Sequence, residues 1–360
     1  MKLQKVILGA AAAGCSLSAL AQSSVILYGS VDAGIGYNSN IGGHSQWQAQ
    51  NANSQPDRFG MKGVEDLGGG LRTLFTLEAG YSTITGAANK AGSIFNREAS
   101  IALDSSTFGT LTIGHMAGLA YAYLNPLDAA VLGYTYQAYH PGNLDELTSN
   151  SLSQLDNVIR YQTPIYAGFQ AATQIGLSNS TDFAAGRSYG FGLRYNQGAL
   201  RAAAEYSVET NHQMNAVSQI GFASFQGVSS SAVYIADKVT NFGASVNYKI
   251  GSFTLHSMYT NVKLQRAGFS DTFQELEAGT AYWTSGANQI DGTAYSARLA
   301  GVKWNQFGLN DIYFLSKATQ VYAGVTLQRA TPGGEAVIYS NLPSSTTSQI
   351  AVRFGMHHSF

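Results

Sequence analysis

The sequence predicts an all-β fold, a 16-stranded antiparallel transmembrane β-barrel. Three observations lead there. The chain begins with an export signal, long alternating segments recur along it, and charge is scarce although no stretch is apolar enough for a spanning helix.

Residues 1–21 carry the export signal. Lys2 and Lys5 form a basic start, Val6 to Leu20 is apolar and small, and Ala19-Leu20-Ala21 fits a signal-peptidase site before Gln22. Lipoprotein processing at Cys15 is the alternative, but Ala12 stands where a large aliphatic residue is usual. Residues 22–360 then form one barrel domain with no cysteine, so no disulfide forms in the oxidising compartment it enters. Lys2 and Lys5 are two of 20 basic groups, so 18 remain against 21 acidic ones, a formal charge of about −3 that argues against nucleic-acid binding.

Only 11% of residues are charged, against roughly 25% in an ordinary soluble domain. No segment of the mature chain approaches the roughly 18 consecutive apolar residues of a spanning helix. In lipid only helices and closed barrels satisfy every backbone group, so strands must do the crossing.

Sixteen strands are expected, near 25–37, 57–65, 71–82, 94–103, 109–115, 156–163, 168–178, 187–196, 199–208, 239–249, 252–263, 272–283, 288–296, 304–314, 319–330 and 348–360. The third shows the grammar. Leu71, Thr73, Phe75, Leu77, Ala79 and Tyr81 share a face that suits lipid, while Arg72, Leu74, Thr76, Glu78 and Gly80 share one that suits water. Connections alternate between short turns such as Asn196-Gln197-Gly198 and long loops at 116–155, 209–238 and 331–347, with Asn38 to Pro56 expected as a further loop. The last strand alternates as far as Phe360, which makes sense if it pairs with the first strand and removes the last free edge. A secreted β-sandwich is the competing fold, but its strands run five or six residues.

Several segments, in order along the chain, resemble the trimeric general porins of Gram-negative outer membranes, in their proteobacterial subfamily. They are Val25-Ile26-Leu27-Tyr28-Gly29-Ser30-Val31-Asp32, Arg58-Phe59-Gly60-Met61-Lys62-Gly63-Val64-Glu65-Asp66-Leu67-Gly68-Gly69-Gly70, Phe95-Asn96-Arg97-Glu98-Ala99 and Phe108-Gly109-Thr110-Leu111-Thr112-Ile113-Gly114. Asp156-Asn157-Val158-Ile159-Arg160-Tyr161 with Pro164, Leu315-Ser316-Lys317-Ala318-Thr319 with Tyr322, and His358-Ser359-Phe360 complete the set. The resemblance implies a homotrimer of water-filled barrels set in outer-membrane lipid and lipopolysaccharide, passing ions and small hydrophilic solutes by passive diffusion. It implies that the long loop, about Met116 to Leu155, folds inward as a constriction, and that Phe360 is a membrane-assembly signal. No cofactor and no metal are expected.

In such porins a basic wall faces acidic groups on the inserted loop, and the field between them sorts ions by charge. Arg58 shares parity with Lys62, opposite Phe59 and Met61, so both face the lumen. Arg97 shares parity with Ala99 and Ile101 and is placed in the pore by the resemblance alone. Two further basic positions of the family are replaced, by Gln154 and His115, while Arg160 remains nearby. On the loop, Asp128 is the first acidic candidate, with Asp145 and Glu146 second. A plainer role for Asp128 is to cap a short helical turn, and for Arg58 to pair with Glu78. Tyr121, Tyr123, Tyr134, Tyr136 and Tyr139 divide between lining the constriction and anchoring the loop. The missing basic groups and the negative net charge predict weak selectivity, or a mild cation preference.

Three other functions compete. A channel specific for a sugar or carboxylate fits the Tyr-rich loop, and an adhesive barrel would have a closed lumen. A barrel hydrolase needs a nucleophile, base and orienting group, and no such spacing surrounds His44, His115, His140, His212, His256, His357 or His358; the chain is read as a non-enzyme.

Overall fold

The computed structural model describes residues 24–149, 153–181 and 186–360; the export signal expected over 1–21 lies outside the described residues. The first strands are β1 (Ser24–Ile41), β2 (His44–Asn51), β3 (Arg58–Gly68), β4 (Leu71–Gly80), β5 (Glu98–Ser105) and β6 (Gly109–Ala117). After the long loop come β7 (Gln154–Gln162), β8 (Phe169–Gly176), β9 (Ser188–Gln197) and β10 (Leu200–Ala216). Two short strands, β11 (Ser224–Phe225) and β12 (Val228–Ser229), pair only with each other. The wall resumes with β13 (Val233–Ile250), β14 (Phe253–Arg266), β15 (Phe269–Trp283), β16 (Asn288–Leu299), β17 (Val302–Phe314), β18 (Thr319–Ala330) and β19 (Ser348–Ser359).

Seventeen of these strands form one antiparallel sheet that closes on itself. β3 pairs with β1 over Ser24–Ser30 and β2 pairs with it over Ala33–Ile41, so together they act as one interrupted wall strand. Counting that pair once gives the expected sixteen. Closure is made by β19, whose Ser359 to Ala351 register against Ser30 to Asn38 of β1. Phe360 exchanges both backbone hydrogen bonds with Gly29, at 3.0 and 3.1 Å.

The polar 38–56 segment is mostly strand rather than loop. A tight turn through Gly42 and Gly43, both at positive φ, lets β2 fold back on β1. The β10 and β13 ends likewise extend into the region expected as the 209–238 loop. These stretches lie at the end of the barrel that carries the long loops, so neither face must be apolar and the alternation that reveals a strand fades.

On the outer surface Leu27, Phe59, Ile101, Leu103, Ile113, Phe191, Leu193, Phe242, Leu276, Phe307 and Leu309 stand exposed, the band a hydrocarbon layer covers. At the short-turn end Phe253 stacks on Tyr282 and Trp283 on Phe314, an aromatic girdle. Inside, two apolar cores fill part of the lumen. One joins Leu119, Tyr123, Leu124 and Leu127 of the loop to wall residues Ala172, Ala203 and Met258. The other packs Ile220, Phe222 and Phe225 against Tyr234, Phe273 and Trp304 near the long-loop end.

The channel constriction as candidate functional site

The 118–149 segment lies inside the barrel and carries α1 (Leu119–Tyr123) and α2 (Ala129–Leu132). Wall side chains hold its backbone. Gln289 Nε2 donates to Leu132 O at 2.6 Å, Asn310 Nδ2 to Gly133 O at 2.7 Å, Gln306 Nε2 to Gln137 O at 2.8 Å and Asn241 Nδ2 to Asp145 O at 2.9 Å. A loop this buried must place its carbonyls on donors, and inward Asn and Gln side chains supply them without adding charge. Glycines make room: a Cβ on Gly243 would lie 2.3 Å from Leu124 Cδ1, and one on Gly192 about 3.0 Å from the Tyr123 ring.

The basic wall faces the other side of the lumen. Arg58, a partly exposed side chain, pairs with Ser30 in register and sits with its Nε 3.7 Å from Glu78 Oε2. Lys62 is exposed on the same inner face, its Nζ 5.1 Å from the centre of the Tyr28 ring. Arg97 Nε lies 2.5 Å from Glu78 Oε1, and its Nη1 donates to Ser149 O at 2.9 Å. Residue parity put Arg97 on the outer face, yet β5 begins only at Glu98, so the alternation does not bind Arg97 and its side chain turns inward. Arg160 is inward but buried beneath the root of the loop, donating to Ala117 O and Gln174 Oε1. Gln154 sits at the loop's other root, its Nε2 donating to Ser149 Oγ at 2.5 Å.

His115 is not part of this wall. It pairs in register with Ala99 on the outer parity, beside the β6–β7 irregularity, with Nδ1 2.6 Å from Asp156 Oδ1.

The three loop carboxylates lie in two buried clusters behind the loop rather than across the channel from the arginines. Asp128 is fully buried and caps α2, accepting from Ala130 N at 2.6 Å. Burial, and then the Glu277 charge, push its pKa well above the usual carboxylate range. Asp145 is buried against His140 and accepts from Thr260 Oγ1 at 2.9 Å. Glu146 is buried with His212 Nε2 at 3.0 Å, and burial together with Glu209 raises its pKa to about 7. The expectation of an acidic loop face opposite the basic wall is therefore corrected. The loop presents partly exposed Tyr121, Pro126, Val131, Leu132, Tyr134 and Tyr136 instead, while Tyr123 and Tyr139 anchor it.

A cavity of about 470 Å³ lies above the constriction, lined by Asn51, Asn96, Arg97, Tyr136, Ser149 and Tyr339 among others; Arg97 is the only charged side chain in its described lining. On the short-turn side Arg194 lies inward, its guanidinium 5.5 Å from the centre of the Tyr123 ring. Arg201 follows the same inward parity and is exposed. Arg353, from the closing strand, donates to Asn53 O and Asn53 Oδ1 and to Thr135 Oγ1, clamping the loop. Sequence reasoning did not select Arg194, Arg201 or Arg353, although strand parity carried the signal for each.

A closed sixteen-stranded barrel with an apolar outer band, a polar lumen and a loop folded into it defines an outer-membrane channel protein. The sequence profile of the Gram-negative porin family matches residues 8–332, and the chain belongs to that family. It is 29% identical to an outer membrane porin protein of Bordetella pertussis, over 89% of this chain and 93% of that one. It is 26% identical to outer membrane porin protein 32 of Delftia acidovorans, over 99% and 100%. Among solved structures the fold is similar to an anion-selective porin from Comamonas acidovorans, with a TM-score of 0.79 and 21% identity over 94% of this chain and 100% of that one. It is also similar to the trimer form of OmpT from Vibrio cholerae, with a TM-score of 0.67 and 12% identity over 94% and 99%. The chain is an outer-membrane β-barrel porin.

Proposed function

We propose that the protein, after loss of residues 1–21, forms a homotrimer of water-filled channels in contact with outer-membrane lipid and lipopolysaccharide. Each channel passes small hydrophilic solutes and ions by diffusion, with a weak preference for anions. One observation carries the charge preference: Arg58, Lys62, Arg194 and Arg201 are accessible in the lumen and the buried Arg97 borders the cavity, while Asp128, Asp145 and Glu146 are turned away behind the loop. Glu78 offsets part of this charge, which keeps the preference weak. This reading keeps the weak selectivity expected from the sequence but differs in sign from the mild cation preference offered with it. Likeness to the anion-selective Comamonas acidovorans porin supports the same direction.

A second reading, a channel selective for one sugar or carboxylate, draws on the Tyr136, Tyr139 and Tyr339 rings, which pack 5.1–5.8 Å apart, with Tyr136 and Tyr339 reaching the cavity. Concentration-dependent block of the current by one solute distinguishes it. The general reading is tested by reconstituting the protein in planar bilayers. Conductance that rises with salt in groups of three equal steps is expected, and a non-conducting barrel overturns it.

A further inference from the structure

His140 sits behind the constriction loop, fully buried and ringed by Asp128, Asp145, Glu275 and Glu277, each 0–1% exposed. Its Nδ1 lies 2.6 Å from Asp145 Oδ2, a contact that orients the ring and turns Nε2 toward the other carboxylates. Nε2 faces Glu275 Oε1 at 3.4 Å and Glu277 Oε2 at 3.5 Å. Charge-assisted hydrogen bonds run about 2.7–2.9 Å, so neither contact is one. Two ligands on one tetrahedral ion, each bonded at about 2.0–2.1 Å, stand about 3.3 Å apart, which is the spacing found here. Nε2, both oxygens of Glu275 and Oε2 of Glu277 have no hydrogen-bond partner among the described residues. One donor atom each from His140, Asp145 and Glu275 lie within 4.8 Å of one another, as do those of Glu146, Glu209 and His212 nearby.

We infer that this cluster binds one divalent transition-type cation such as Zn²⁺, with His140 Nε2 and Glu275 as ligands, Asp145 orienting the ring and Glu277 Oε2, 3.5 Å from Nε2, as the nearest further oxygen. Four carboxylates buried around one imidazole are costly to ionise, and a dication held among them would offset that cost while fastening the loop to β15. An imidazole with few carboxylates suits zinc or manganese better than calcium, which takes six to eight oxygens. The neighbouring Glu146, Glu209 and His212 group differs. There the ring nitrogens lie 3.0 and 2.5 Å from carboxylate oxygens, closer than the about 3.3 Å at which two ligands of one tetrahedral ion stand. It serves as the control.

The test uses the folded full-length barrel in detergent, stripped with a chelator, equilibrated with Zn²⁺, desalted and assayed for bound metal. The expected result is about one zinc per chain. His140→Gln and Glu275→Gln lose most of it and Glu209→Gln keeps it. Wild-type protein without bound zinc, or equal zinc in all four proteins, overturns the inference. Should either ligand variant fail to fold, Co²⁺ added to the wild type decides alone. Intense tetrahedral absorption bands support the site, and only the weak spectrum of aqueous cobalt overturns it.

Discussion

Replacing Arg97 with Gln removes the one charged side chain in the described lining of the cavity above the constriction, and leaves the Glu78 carboxylate without its nearer partner. An ion passing about 5 Å from the guanidinium feels about 0.8 kcal/mol at the dielectric of water. Screening over a Debye length of about 10 Å at 0.1 M salt reduces this to about 0.5 kcal/mol. The substitution acts oppositely on anion and cation, so the chloride-to-potassium permeability ratio should fall by about 1 kcal/mol, or about fivefold. The assay is the reversal potential across a planar bilayer in a salt gradient. Arg97 also donates to Ser149 O and so helps hold the loop. Arg97→Lys separates charge from geometry, because it keeps the charge and should keep the ratio. An unchanged reversal potential in Arg97→Gln, at wild-type conductance, refutes the electrostatic reasoning.

Asp128→Asn should leave the reversal potential unchanged, because Asn caps α2 as well as Asp and the side chain does not reach the channel; a shift toward anions as large as the one above would put that carboxylate in the pore. Gly243→Val drives a Cβ into Leu124 and costs about 1–3 kcal/mol of overpacking, so the loop should shift and single-channel conductance change while the barrel stays folded. At Gly34 a Cβ would lie 2.2 Å from Phe354 O, a backbone atom on the closing seam, so Gly34→Val should lower the temperature at which the folded barrel is lost, measured by heat-dependent gel mobility. Deleting Phe360 removes two backbone bonds to Gly29 and the ring that lies over it. Outer-membrane levels should fall while inserted molecules conduct normally, and normal levels would refute an assembly role.

The membrane-spanning parts of the barrel were legible because lipid enforces alternation there. Phe59, Leu77, Phe191 and Leu309 each sit outward with a polar or small neighbour inward. Beyond the membrane that constraint lapses, which is why β2 and the upper ends of β10 and β13 read as loops. His115 shows the reverse error. Its parity with Leu111 and Ile113 marked an outer position, and the resemblance alone put it in the wall. The loop carboxylates were findable as residues but not as a surface. An irregular segment of short helices has no period, so nothing in the sequence tells which side of it Asp128, Asp145 and Glu146 face. Net charge and the proposed anion preference differ for the same reason: net charge counts Glu205, Glu209, Glu275 and Glu277, all buried, equally with the accessible basic groups of the lumen.

The reversal potential of the wild-type protein tests the central claim most directly. In a potassium chloride gradient across a planar bilayer, basic side chains in the lumen and carboxylates hidden behind the loop predict a potential of the sign set by chloride flow. A potential of the potassium sign would contradict the claim and return the acidic groups to the channel.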